Sequence, residues 1–152
     1  MRVLVDGVVG RTVLLFGAGS DPGVDVTWGR GVTLAVDDGE GEEVEATAGV
    51  GVVGVSVSGL RALAFAGRRP EVVDRVVLVR TPIPEDDGLG FAAITAKTLL
   101  LYGRADARHA VWWQKRLPAA RLEVNPDGHD DLLVGMWHRV LSHVAPRCKR
   151  PA

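Results

Sequence analysis

The chain has 152 residues, of which 47% are hydrophobic, and its formal net charge is −1. We therefore expect one domain of ordinary size that buries a core, and the composition excludes a disordered chain. The near-neutral charge gives no reason to expect nucleic acid or an anionic membrane as a partner. The charge is uneven, because residues 1–59 carry 3 basic and 9 acidic side chains whereas residues 60–152 carry 15 and 10. This asymmetry indicates two differently charged faces.

The single cysteine, Cys148, excludes a disulfide within the chain. The first residues lack the basic and apolar regions of a signal peptide. No apolar run approaches the ~20 residues of a membrane span. We therefore expect a cytoplasmic protein that forms a single domain over residues 1–152, with a disordered basic tail at 146–152.

Short β-branched runs and turn signals predict the secondary structure in chain order. Strands are expected at residues 2–5, 12–16, 32–36, 50–55, 76–79, 98–102 and 122–124. Helices are expected at residues 60–66, 109–117 and 132–144, with a further short one within 42–47. Because strands and helices alternate after the first third, the sequence predicts an α/β fold with a mostly parallel central sheet.

The stretch Gly-Val-Ser-Val-Ser-Gly at 54–59 lies between a predicted strand and a predicted helix. This is the context of a nucleophile elbow, a sharp turn that exposes a serine beside the free N–H groups of a helix start. The motif departs from Gly-x-Ser-x-Gly at its last position, which is Ser58. Ser56 fits the register of the motif and Ser58 is the other candidate nucleophile. The alternative interpretation is an ordinary Gly/Ser turn.

In parallel sheets, functional residues gather at the carboxyl ends of the strands. That rule selects residues 17–19, Ser56, Asp106 and His129. A serine hydroxyl needs an imidazole to remove its proton, and the imidazole needs a carboxylate to fix its tautomer. The order Ser56, Asp106, His129 supplies the three groups. The alternatives are a turn aspartate, a loop histidine at 129, and His109 as a rival base.

Five segments, in this order, resemble the α/β-hydrolase family from about Thr12 to the end. They are LLFGAG at 14–19, DDGEG at 37–41, GVSVSG at 54–59, LLLYGRAD at 99–106 and LEVNPDGH at 122–129. The resemblance implies a three-layer α/β sandwich of about six or seven strands without a cap domain. It also implies a serine hydrolase of small carboxylic esters or thioesters, with Ser56 as nucleophile, His129 as base and Asp106 as orienting acid.

The resemblance further implies an oxyanion hole made by the backbone N–H groups of Val57 and Ala18. The expected substrate-binding residues are Phe16, Gly17, Leu89 and Trp112. Neither a cofactor nor a metal is implied.

Three residues depart from the family pattern. Phe16 stands in place of a histidine, Ser58 in place of a glycine, and Lys97 where a proline is frequent. The region 80–97, where family members insert a cap, reads as a loop. The alternative function is therefore a non-catalytic α/β-hydrolase-fold module for binding or interaction.

The open site suggests a further partner, a second copy of the chain that would form a homodimer covering it. The apolar residues expected to dock that copy are Leu89, Phe91 and one of Trp112 or Trp113.

Overall fold

The computed structural model describes residues 1–17, 22, 24–37, 44, 46–85, 90–91, 93–126 and 132–151. Its strands are Arg2–Val5 (β1), Thr12–Phe16 (β2), Thr33–Val36 (β3), Val50–Val55 (β4), Val73–Val79 (β5), Lys97–Gly103 (β6) and Ala120–Asn125 (β7). Its α-helices are Val24–Trp28 (α1), Gly59–Arg68 (α2), Ala107–Gln114 (α3) and Trp137–Val144 (α4). Single 3-10 turns at Ser56–Ser58 and Arg104–Asp106 precede α2 and α3.

The strands form one sheet in the order β1-β3-β2-β4-β5-β6-β7. Every neighbouring pair is parallel except β1 with β3. Strand β2 is buried along its whole length, and β4 is buried from Val50 to Gly54. Such near-continuous apolar runs are typical of parallel strands that are covered on both faces. The predicted α/β class and mostly parallel sheet are confirmed.

Alternate residues of the central strands point to two separate core regions. Val52, Leu78 and Leu100 belong to the region under α2 and α3. On the opposite face, Val53, Val77 and Leu99 pack in the region that includes α4. The molecule therefore has the three layers expected from the sequence. Within the part of the chain that the structure describes, no helix is long and apolar enough to cross a bilayer.

Several predicted elements differ from the observed ones: α1 is not among the predicted helices, and the helix predicted at 109–117 is observed at Ala107–Gln114. The last helix begins at Trp137 instead of residue 132, although Leu132 and Leu133 are buried. The spacing of apolar residues indicates which side chains are buried, but a turn can bury them as well as a helix can. Gly135 also disfavours helix in this stretch. Strand β5 begins at Val73 instead of residue 76; the prediction began late because Asp74 and Arg75 interrupt the apolar pattern. The short helix predicted within 42–47 lies largely outside the described residues.

The connection between β5 and β6 lies where a cap would be inserted. Its described residues, 80–85, 90–91 and 93–96, form no helix or strand. The predicted reduced fold without a cap agrees with this connection. Among these described residues, only loop flanks the sheet edge that carries the ends of β4 and β6.

The basic segment near the C-terminus lies against α1. The backbone N–H of Arg150 donates to the Gly29 carbonyl at 2.8 Å, and its Nε donates to the Trp28 carbonyl at 3.0 Å. The Arg150 guanidinium stacks 3.5 Å from the centroid of the Trp28 ring. These contacts tie Arg150 to the end of α1, and the disorder expected of the tail at 146–152 stays a prediction.

Candidate active site

Ser56 is the first residue after β4 and opens the turn that leads into α2. Its φ angle is +53° and its side chain is exposed. The left-handed conformation costs a non-glycine residue roughly 1–2 kcal/mol and persists where the surrounding structure imposes it. An exposed serine held in this conformation between a strand and a helix has the geometry of a nucleophile elbow.

Two glycines allow the helix to approach the sheet behind Ser56. A Cβ at Gly54 would lie 2.5 Å from the Cα of Gly59 and 2.9 Å from the Cβ of Ala62. A Cβ at Gly59 would lie 2.8 Å from Cγ2 of Thr81, the second residue after β5. Neither position has room for a side chain, so this close packing holds the turn sharp.

Gly59 packs against Thr81, whose carbonyl is held by two hydrogen bonds. The Thr81 carbonyl accepts them from the Tyr102 hydroxyl at 2.6 Å and from Nε1 of Trp113 at 3.1 Å. Burial raises the pKa of Tyr102, so the phenol stays protonated as the donor. The Thr81 hydroxyl is buried with no hydrogen-bond partner among the described residues. The carbonyl of Thr81 thus ties the chain just beyond β5 to β6 through Tyr102 and to α3 through Trp113.

Ser58, the departure from the motif, lies against the loop that follows β2. Gly17 has a φ angle of +102°, and a Cβ there would lie 2.8 Å from the Cβ of Ser58. The close approach of helix and sheet is provided by Gly54 and Gly59, so residue 58 has no need to be glycine. The Ser58 side chain has room here because residue 17 is glycine.

Of the two predicted oxyanion donors, Val57 follows Ser56 directly and is 65% exposed. Its N–H belongs to the first turn of a helical segment, where N–H groups have no partner within the helix. The second donor, Ala18, lies outside the described residues, and so does Leu89. The oxyanion hole stays a prediction.

Asp106 lies just beyond β6, at the same edge of the sheet as Ser56. Its Oδ2 accepts a hydrogen bond from Nε of Arg80 at 3.0 Å, in a pair whose members are 30% and 27% exposed. Arg80 follows β5 with a φ angle of +55°, and its N–H donates to the Leu101 carbonyl. Sequence reasoning misses this ion pair, because nothing in the local pattern links two residues on different strands.

His129, the predicted base, lies outside the described residues. Strand β7 ends at Asn125, which is paired with Gly103 of β6. The chain therefore leaves the sheet at the Asp106 edge shortly before residue 129. The hydrogen bonds that would join Ser56, His129 and Asp106 stay a prediction.

The rival base, His109, has a different partner. Its Nδ1 accepts a hydrogen bond from the Ile83 N–H at 2.8 Å. A ring nitrogen that accepts is unprotonated, so the ring proton is on Nε2. His109 ties α3 to the loop after β5, and service as a base at Nδ1 would break that tie.

Phe16 lies in the core under α2. Its side chain is 4% exposed, and its ring centroid is 5.8 Å from that of Phe65. A ring in this position supports the start of the loop at Gly17. Contact of Phe16 with a substrate stays a prediction, as does that of Gly17.

Of the adjacent tryptophans, Trp113 is fully buried and Trp112 is half-buried. Phe91 packs edge-on against both rings, with centroids at 6.3 Å from Trp112 and 4.9 Å from Trp113. The Arg116 guanidinium lies 3.7 Å from the centroid of the Trp112 ring. Trp113 therefore belongs to the core, and a substrate contact by Trp112 stays a prediction.

No family model and no curated protein sequence matches the chain. Solved structures do. A predicted CIB-like hydrolase from Thermoplasma acidophilum aligns over 91% of this chain and 87% of its own, with a TM-score of 0.69 and 15% identity. MGS-MChE2, an α/β hydrolase from a lagoon-sediment metagenome of Mar Chica, Morocco, aligns over 90% and 89%, with a TM-score of 0.69 and 13% identity. Naproxen esterase from Bacillus subtilis aligns over 91% and 84%, with a TM-score of 0.62 and 14% identity.

The chain therefore has the α/β-hydrolase fold, and the resemblance seen in the sequence is confirmed at the level of the fold. Ser56 follows β4 and Asp106 follows β6, in the chain order of a triad on this fold. The fold alone does not identify a reaction, because one fold hosts many activities.

Proposed function

We propose that the protein is a serine hydrolase that cleaves small carboxylic esters or thioesters through an acyl intermediate on Ser56. The observation that carries this proposal is the exposed Ser56 at a φ angle of +53°, between β4 and α2. Strain at a residue that adds little to packing is typical of a functional position. Solved structures of this fold include a carboxylesterase from Bacillus subtilis, which supports the class of reaction.

In the proposed reaction, His129 removes the proton of the Ser56 hydroxyl as its oxygen attacks the carbonyl carbon. The oxyanion that forms accepts hydrogen bonds from the N–H groups of Val57 and Ala18. His129 then gives its proton to the leaving alcohol or thiol, and the carbonyl–heteroatom bond breaks. Water attacks the acyl-Ser56 in the same manner and releases the acid.

Asp106 orients the imidazole of His129 in this scheme and stabilises the imidazolium. Arg80 engages Oδ2 of Asp106, so in this scheme we expect Oδ1 to face the imidazole. The ion pair thus acts as a positioning contact that holds the carboxylate at the end of β6. Arg80 itself touches no reacting atom in this scheme.

The test is covalent labelling with a fluorophosphonate, followed by intact mass measurement. Wild-type protein and the Ser58→Ala variant should gain one phosphonyl group, and Ser56→Ala should gain none. Labelling lost in Ser58→Ala and kept in Ser56→Ala would show that the other serine is the nucleophile. A folded wild-type protein that takes no label would favour the non-catalytic interaction module.

A further inference from the structure

A basic groove lies at the amino edge of the sheet, where β5, β6 and β7 begin beside α4. We call it the amino-edge groove; its volume is about 340 Å³. Its lining includes the side chains of Arg75, Lys97, Arg121, Arg139, Ser142 and His143. It belongs to none of the chemistry proposed for Ser56.

Strand register explains why these cations meet. Arg75 of β5 is the partner of Lys97 in β6, and Arg121 of β7 is the partner of Leu99. Side chains two residues apart on a strand share a face. Leu99 packs in the core region of α4, so Lys97 and Arg121 lie on the face that α4 covers. Arg75 shares that face, because Val77 does.

Helix α4 adds two groups to the same groove. Arg139 and His143 are four residues apart and therefore neighbours on one side of the helix. The Nε2–H of His143 donates to the Lys97 carbonyl at 2.9 Å. This bond ties the helix to the first residue of β6, and so joins the two walls of the groove.

The charge of the groove is poorly compensated. Glu123 is bound by Nε of Arg139 at 2.8 Å and lies 3.8 Å from Arg121. Among the described residues, no hydrogen bond or ion pair is formed by the side chains of Arg75 and Lys97. Burial lowers the pKa of His143, and the charges of Arg75, Arg139 and Arg121 lower it further.

Four cations share one carboxylate, so the groove carries a net positive charge that favours an anionic ligand. Guanidinium groups match phosphate oxygens in a bidentate manner, and a lysine adds a point charge. A concave groove of this volume suits a small molecule. We propose that the amino-edge groove binds the phosphate or diphosphate group of a small molecule.

The groove is separate from the elbow. Strand β6 runs for 7 residues between Lys97 and the turn that holds Asp106, which is about 20 Å at ~3.3 Å per residue. A small phosphate compound is favoured over nucleic acid, because a long polyanion needs a basic stripe and the first 59 residues are acidic. Phosphate binding in this groove does not depend on whether Ser56 is a nucleophile.

Isothermal titration of the full chain with sodium pyrophosphate, at fixed ionic strength, tests the proposal. We expect saturable binding at one site, with Arg75→Gln and Lys97→Gln each weakening it by roughly tenfold. Lys115→Gln, which removes an exposed lysine at the end of α3, should stay within about twofold of wild type. Ser56→Ala should bind as wild type does.

A second arm identifies the source of the phosphate. Tighter binding of ADP than of pyrophosphate would support an organic diphosphate whose remainder fills the groove, and equal binding would support an inorganic one. Absence of saturable binding at millimolar pyrophosphate would overturn the proposal. It would also be overturned if Lys97→Gln behaved like Lys115→Gln, or if a short single-stranded oligonucleotide bound this groove more tightly than ADP.

Discussion

Ser58 and Gly17 occupy complementary positions, since a Cβ at residue 17 would lie 2.8 Å from the Cβ of Ser58 and 2.9 Å from its Oγ. The side chain that departs from the elbow motif therefore fills the space that glycine leaves in the loop after β2. Ser58 alters the elbow motif, and Gly17 provides the space for its side chain. Ser58 is thus compatible with an intact elbow and is no sign that the site has decayed.

This complementarity predicts energetic coupling. Gly17→Ala should lower the free energy of unfolding by at least ~1–2 kcal/mol, because of its φ angle of +102° and the clash with Ser58. The double variant Gly17→Ala/Ser58→Gly removes the clash, so its loss should be smaller than the sum of the single losses by about 0.5–3 kcal/mol. Urea unfolding measures all three variants. Losses that simply add would show that the two residues do not interact.

The ion pair of Asp106 predicts which aspartate matters for activity. Asp106→Asn should lower kcat for an aryl ester by about 10³–10⁴-fold, because an amide cannot hold the imidazole in the required tautomer. Asp74→Asn is the matched control, since Asp74 also pairs with an arginine, Arg11, at 2.7 Å. It should leave kcat unchanged.

The same control makes a separate prediction about stability. Arg11 is 5% exposed, and it also donates to the carbonyls of Val144 and Ala48. Removing the carboxylate of Asp74 leaves a buried guanidinium less well compensated, which should cost about 1–3 kcal/mol of unfolding free energy. Chemical denaturation of Asp74→Asn checks this. An unchanged unfolding free energy would mean that water replaces the carboxylate at no cost.

Much of the fold was predictable because short apolar runs and turn residues mark the strands locally. The rule that parallel strands share a carboxyl edge then placed Ser56 and Asp106 together. Contacts between distant segments were not predictable, and Arg80 with Asp106 is the clearest case, with Gly17 and Ser58 as another. The charge asymmetry was visible in the sequence, but only strand register shows that Arg75, Lys97 and Arg121 share one face.

His143 predicts a pH dependence of stability. Its pKa is lowered by burial in the folded state, so the unfolded chain binds more protons in the window below about pH 6.5. Unfolding free energy should therefore fall as pH falls through that window. His143→Gln keeps an N–H donor for the Lys97 carbonyl and does not titrate, so its stability should fall less between pH 7 and 5. His138→Gln, on an exposed position of the same helix, should follow wild type.

The amino-edge groove links that titration to ligand binding. The charged groups that line the groove with His143 are Arg75, Lys97, Arg121 and Arg139, and Glu123 pairs with Arg139. A bound pyrophosphate would offset the positive charges and should raise the pKa of His143. NMR titration of the imidazole with and without pyrophosphate measures the change. Identical titrations at saturating pyrophosphate would place the anion elsewhere.

The uncovered site predicts low selectivity. We expect water to be poorly excluded from Ser56 and remote substrate groups to find few contacts, because no described residue between β5 and β6 belongs to a helix or strand that could close over it. Of the described residues expected to dock a second copy, Phe91 and Trp113 are 8% and 0% exposed and Trp112 is half-buried. They offer little apolar surface for a second copy to cover. We expect slow hydrolysis of short-chain aryl esters, with kcat/KM varying by less than about tenfold across acyl lengths. Specific activity that rises with protein concentration would instead support a homodimer that covers the site. Tight, selective substrate binding by a monomer would contradict both the open site and the dimeric cover.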